Sequence, residues 1–260
     1  MDASGTCDLP SLQSSLPLSS HMPSTRAIFF DAGNTLFTER RPRAAIYSTV
    51  ARSHGSRATE EDAADFMARA FAEIPFSAEG NFRYSTAWFE TFNEMVLLGM
   101  GVSESRWRSA HEELIERFES PKTYKLFKET ASILEELSNL GFTLGVVSNW
   151  SERLPVLLQA LGVADKFEFI VTSAEMRAEK PNRAIFERAL FRAGVPADEV
   201  LHVGDHFERD VRGAQSTGIR PAYLDRTAEA SGTTREGVPV LTDLCGILSL
   251  VEQTSHASRS

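Results

Sequence analysis

Asp31 closes the apolar run "AIFF" and is followed at once by Ala32, Gly33 and Asn34. A β-rich run that ends in a lone carboxylate delivers it to a turn, where it can serve as a nucleophile or a ligand. Other polar groups stand at the same point of later runs: Ser148 and Asn149 after "TLGVV", and Asp205 after "VLHVG", with Asp210 five residues beyond. Three carboxylates gathered at one edge repel one another unless a cation neutralises them, and an all-oxygen set suits a hard ion such as magnesium. Lys180, in "AEKPN", precedes Pro181, which favours a loop over a helix interior and leaves the lysine free to reach inward. A carboxylate, a hydroxyl, a lysine and a pair of magnesium-binding acids together could bind and attack a phosphoryl group.

Bringing these groups together requires parallel strands. The runs "AIFFDAG", "TLGVVSNW", "FEFIVTS", "VLHVGD" and "RPAYLD" alternate with helix-like segments, which predicts an α/β fold with a doubly wound, mainly parallel, Rossmann-like sheet. Helical punctuation agrees: "TASILEELSNLG" ends at Gly141, "NRAIFERALFRAG" starts after Pro181 and ends at Gly194, and "DVRGAQSTG" ends at Gly218. In such sheets ligands sit outside the carboxyl ends of the strands. Residues 39–117 carry no comparable run and read as consecutive helices, an inserted all-helical cap that divides the core into 25–38 and 118–252. Pro42 fits an early helical position, and Thr59 and Ser103 fit N-caps. The aromatic set Phe71, Phe76, Phe82, Tyr84, Trp88, Phe89 and Phe92 is expected to form the core of that bundle.

Composition narrows the partners. With 260 residues, 42% of them hydrophobic, the chain can bury a substantial core. A formal charge of -9 opposes nucleic acid as a partner, while a small anionic substrate stays open if basic residues are local to one pocket. Cys7 and Cys245 are too few and too far apart for a disulfide framework, which fits a reducing cytoplasm. Apolar runs fall short of a membrane span, so no membrane partner is expected. Residues 1–24, rich in Ser and Pro, read as a disordered extension in which Met22 is an alternative start, and 253–260 as a disordered tail. Oligomeric state leaves no signature.

Taken in order, "FFDAGNTLF", "VVSN", "EKP" and "VGDHFERD" resemble the four motifs of the haloacid dehalogenase superfamily, in its group with a helical cap after the first motif. The similarity runs over about residues 26–225 and is nearest the phosphatase-like members whose first motif is degenerate. The resemblance implies that Asp31 is the nucleophile, taking the phosphoryl group as an aspartyl-phosphate. It implies that Ser148 and the backbone N–H of Asn149 hold the transferring group, and that Lys180 offsets charge between nucleophile and phosphoryl group. Magnesium would be held by Asp31, the Gly33 carbonyl and Asp205, with Asp210 more distal. In the family's phosphatases a second aspartate stands where this chain has Gly33, and it protonates the leaving group and activates water. A positioned acid–base group contributes typically ~10²–10⁴-fold, so its loss weakens turnover unless another group substitutes.

Three readings follow. The first is a magnesium-dependent phosphohydrolase acting on a small phosphorylated metabolite, with His206 or Glu39 as substitute acids or a leaving group that needs none. The second is a 2-haloacid dehalogenase-type hydrolase, whose halide leaves without a proton. The third is a catalytically impaired fold that binds without turnover. His202, inside "VLHVG", reads as a satisfied core histidine, and Arg40, Arg41 and Arg43 as a solvated run with the capacity to attract an anion.

Overall fold

The computed structural model describes residues 24–78, 81–228 and 233–257. The chain runs through β1 (Ala27–Phe30), β2 (Phe37–Glu39), α1 (Arg43–Ser53), α2 (Glu60–Glu73), β3 (Ser77–Ala78), β4 (Asn81–Phe82), α3 (Thr86–Gly99) and α4 (Trp107–Glu119). It continues with β5 (Tyr124–Leu126), α5 (Thr130–Asn139), β6 (Thr143–Ser148), α6 (Leu154–Ala160), β7 (Phe169–Thr172), α7 (Ser173–Met176) and α8 (Arg183–Ala193). The last elements are β8 (Val200–Gly204), α9 (Gly213–Gln215), β9 (Arg220–Leu224), β10 (Thr234–Arg235), β11 (Val238–Leu241) and α10 (Gly246–Ala257).

The seven-stranded sheet has the order β10-β11-β9-β8-β1-β6-β7 and is parallel except at the edge strand β10. This is the α/β architecture the alternating runs predict. Period-two alternation sends Ile28 and Phe30 to one face, with Leu134, Leu137, Leu158 and Ile247, and Ala27 and Phe29 to the other, with Ile185, Phe186 and Ala189. Both faces are covered, so the strands can be apolar throughout. The chain winds from β1 through β6 to β7 on one side and from β8 to β9 and β11 on the other. The crevice between β1 and β8 is therefore the switch point where ligands bind in open sheets.

Helices α1 to α4 form a second layer with its own core, built on Val50, Trp88, Phe92, Leu97, Trp107 and Leu114. Thr59 caps α2 reciprocally with Asp62, as its type predicts. Ser103 does not cap α4, which starts at Trp107 after a turn, because its hydroxyl meets that of Ser105. Two short ladders escaped the sequence reading. Inside the insertion, Ser77 and Ala78 pair with Phe82 and Asn81, and at its base β2 pairs antiparallel with β5. Strands of two or three residues are too short for alternation to register. The polar end expected to be disordered from residue 253 continues α10 to Ala257. Residues 1–23 and 258–260, the rest of the expected extension and tail, lie outside the described residues. No helix among the described residues is long and apolar enough to cross a membrane.

Candidate active site

Sheet register brings the strand-end groups together. Phe30 lies opposite Val146 on one side and Val203 on the other, so the residues just beyond, Asp31, Ser148 and Asp205, emerge at one edge. The Asp31 N–H continues the ladder by donating to the Val203 carbonyl at 2.9 Å. Beyond it the chain turns sharply, with Asn34 at φ +57° and its N–H on the Phe37 carbonyl. Arg226 braces that turn by donating to the carbonyls of Asn34 and Thr35 and to Glu129.

Asp31 Oδ1 accepts from Ser148 Oγ at 2.9 Å and from Lys180 Nζ at 2.6 Å. Lys180 also donates to Asp210 Oδ1 at 2.5 Å, and all four side chains are buried. Asn149 fixes the lysine's loop: its Oδ1 accepts from the Lys180 N–H at 2.7 Å and its Nδ2 donates to the Lys180 carbonyl at 3.1 Å. Asp210 is held from three sides, since its Oδ1 also accepts from His202 Nε2 and its Oδ2 from the His206 N–H. This close approach is open only because residue 204 is glycine; a Cβ there would stand 2.2 Å from Asp210 Cγ. A wide π-helical turn, Phe207–Arg212, opens the segment expected to be ordinary helix and swings Asp210 back to the strand end.

Burial penalises every charge here, and the partners decide the outcome. Burial raises Asp31, although Lys180 and Ser148 offset part of the rise. Burial would also raise Asp210, but Lys180 and His202 hold it far below the usual carboxylate range. Lys180 goes the other way, with Asp210 and Asp31 overcoming burial to raise it. Asp205 makes no ion pair among the described residues, and burial, followed by the charges of Asp31 and Asp210, pushes it up to about 7. Asp31, Asp205 and Asp210 each offer an oxygen within 4.8 Å of the others. An oxygen-only cluster with one carboxylate so disfavoured as an anion fits a hard divalent cation.

The cleft above this edge has a volume of about 620 Å³ and is closed on its far side by the helical layer. Gly33 lines it, and Trp150 stands against Gly33: a Cβ at residue 33 would meet the indole at 3.0 Å. Trp150 packs edge-on to Phe37 and Tyr124, which ties it to the β2–β5 ladder. Of the expected bundle aromatics, Trp88 and Phe92 are core, whereas Tyr84 and Phe89 line the cleft. The arginine run divides too: Arg40 donates to the Tyr124 carbonyl, Arg41 is exposed, and Arg43 faces the cleft while donating twice to Glu39.

Of the residues singled out from sequence, Asp31, Gly33, Ser148, Asn149, Lys180, Asp205 and Asp210 all border this one cleft. His202 is buried as expected, but it touches Asp210 and its Nδ1 has no partner among the described residues. Sequence reasoning missed Trp150, although an aromatic immediately after Ser148 and Asn149 was a signal. It also missed Arg226, whose distance in sequence gives none.

A doubly wound sheet with a buried carboxylate, hydroxyl, lysine and acidic cluster at its switch point defines a hydrolase class of α/β protein. A family profile described as haloacid dehalogenase-like hydrolase matches residues 30–223, and the chain belongs to that family. It is 28% identical over 250 residues to haloacid dehalogenase-like hydrolase domain-containing protein 3 of Bos taurus, covering 90% of this chain and 98% of that protein. The Danio rerio protein of the same description is 43% identical over 113 residues, 44% of this chain and 47% of that one. A glyceraldehyde 3-phosphate phosphatase of Methanothermobacter thermautotrophicus is 28% identical over 205 residues, 75% of this chain and 83% of that one. In fold, a crystal structure of a 2-haloacid dehalogenase from Pseudomonas syringae superposes with a TM-score of 0.66 at 24% identity, over 88% of this chain and 99% of that one.

Proposed function

We propose that this chain is a magnesium-dependent phosphohydrolase that transfers the phosphoryl group of a small metabolite to Asp31 and then to water. The observation that carries this is the buried Asp31–Ser148–Lys180–Asp210 network beside Asp205, whose raised pKa calls for a cation. Phosphatases among the relatives support it.

In this reading one Asp31 oxygen attacks phosphorus as the bond to the leaving oxygen breaks. Lys180 opposes the burial penalty on the Asp31 anion and places positive charge beside the transferring oxygens. Ser148 orients the carboxylate and can donate to a phosphoryl oxygen, with the Asn149 backbone N–H beside it. Asp31, Asp205 and the Gly33 carbonyl would hold magnesium, which supplies charge neutralisation for the approaching phosphate. Asp210, its oxygens already engaged, positions Lys180. The helical layer acts as the cap that excludes water. Glu39 is bound by Arg43, and His206 Nδ1 accepts from the Arg209 N–H; His206 substitutes as the acid only as an imidazolium, which requires that hydrogen bond to open.

A screen of phosphorylated metabolites with and without magnesium, run beside Asp31→Asn, tests the proposal. Full activity in Asp31→Asn ends it. Gly33 by itself favours carbon–halogen hydrolysis, and chloride release from 2-chloropropionate that survives EDTA would move the reading there.

A further inference from the structure

Among the described residues four lysine or arginine side chains line the cleft, and three are committed. Lys180 is held by Asp31 and Asp210, Arg43 by Glu39, and Arg153 by Glu119 at 2.6 Å. Arg209 has no carboxylate within ion-pair distance among the described residues. Its backbone N–H is fixed on His206, and the half-buried residue lines the cleft.

Tyr84 borders the same space from the insertion. Its backbone sits at φ +71°, in the left-handed region that residues other than glycine seldom occupy. Packing against Phe71, Trp88 and Phe89 holds it there, and its hydroxyl has no hydrogen-bond partner among the described residues. Residues held in such sparsely populated backbone regions cluster at active sites and ligand clamps. The nearby Glu179 would repel an anion, but Arg83 binds it at 3.0 Å while stacking on Phe71. Arg209 is close enough for its charge to act on both Tyr84 and Glu179. Around Tyr84, therefore, Arg209 is a charge in excess.

We propose that Arg209 and Tyr84 form a second subsite of the cleft, which takes a carboxylate on the part of the substrate that is not transferred. The proposal rests on the phosphoryl-transfer reading of the Asp31 edge. One guanidinium and one hydroxyl match the single charge and two oxygens of a carboxylate. A doubly charged phosphate would leave a charge unanswered beside Glu179. The substrate class becomes that of small phosphorylated carboxylic acids.

The test uses probes that cannot be hydrolysed. Calorimetry on the full chain, in magnesium, compares phosphonoacetate with ethylphosphonate. Wild type is expected to bind phosphonoacetate ~10-fold more tightly, Arg209→Ala to abolish that preference, and Tyr84→Phe to reduce it several-fold. Equal affinities in wild type overturn the proposal, as does a preference that survives Arg209→Ala in a protein with an unchanged melting curve. Should Arg209→Ala unfold, Arg209→Gln decides by the same comparison. Tighter, Arg209-dependent binding of methylenediphosphonate than of phosphonoacetate would overturn the carboxylate assignment. Because the readout is binding, an Arg209-dependent preference in a chain without phosphatase activity would sink the hydrolytic reading alone.

Discussion

Gly33 and Trp150 act as a pair. The glycine removes a side chain, and the indole stands 3.0 Å from where that side chain would begin, so an aspartate at residue 33 requires Trp150 to shift. Gly33→Asp alone is expected to destabilise by about 1–3 kcal/mol through overpacking, with no gain on p-nitrophenyl phosphate. Combined with Trp150→Ala, which clears the space, it should raise turnover by ~10-fold or more, bounded by the ~10²–10⁴ of an acid–base group. Stopped assays and melting curves on the single and double variants check this. A second prediction concerns Asp205. Its pKa without a cation, about 7, stands above the ordinary carboxylate value of 3.8. Between those values the folded protein keeps a proton that the unfolded chain has lost, so cation-free stability falls as pH rises from about 4 to about 7. Magnesium must displace that proton. Affinity should therefore rise with pH to about 7 and level off above it, with proton release seen by calorimetry at about pH 6 and little at about pH 8. Asp205→Asn should abolish both.

At the scale of elements, the loops between strand and helix decide whether Lys180 is in place. Asn149, just beyond β6, makes two hydrogen bonds to the backbone of Lys180, on the loop between α7 and α8. Asn149→Ala should strand that buried N–H and carbonyl, lowering stability by about 1–3 kcal/mol and kcat more than KM. Closure of the helical layer rests on Arg83 with Glu179, Thr86 with Glu152 and Arg153 with Glu119. Since Glu179 adjoins Lys180, the first of these links the insertion to the catalytic loop. Arg83→Ala should speed hydrogen exchange around residues 81–86 and lower kcat/KM; unchanged exchange would show that the other contacts suffice. These cross-contacts were not legible in the sequence. They join residues far apart in the chain, and charged side chains carry no periodic signal.

For the molecule as a whole, the parallel sheet and the residues at its carboxyl edge were readable because buried strands are apolar throughout and end in abrupt polar residues. Thr59 was readable as a cap because capping is local. What stayed hidden was the β2–β5 ladder, too short to register, and the contact of Trp150 with Gly33, which exists only once β1 and β6 are paired. Folding also concentrates three carboxylates in a chain that already carries a formal charge of -9, so on the proposed reading a bound cation should add to the molecule's stability. At a hundredfold excess over Kd, magnesium should add about 2.7 kcal/mol. At roughly 2–4 °C per kcal/mol for a chain of this size, that raises the melting temperature by about 5–10 °C in wild type and not in Asp205→Asn. The central claim, however, is that phosphoryl transfer passes through Asp31 in a site without its usual acid–base group. Mass spectrometry of protein quenched in acid during turnover of acetyl phosphate with magnesium tests it most directly. The account predicts a phosphorylated peptide containing Asp31, accumulating because its hydrolysis is slow, labile to hydroxylamine and absent from Asp31→Asn. Phosphate release that continues in Asp31→Asn, with no labelled peptide in wild type, would contradict it.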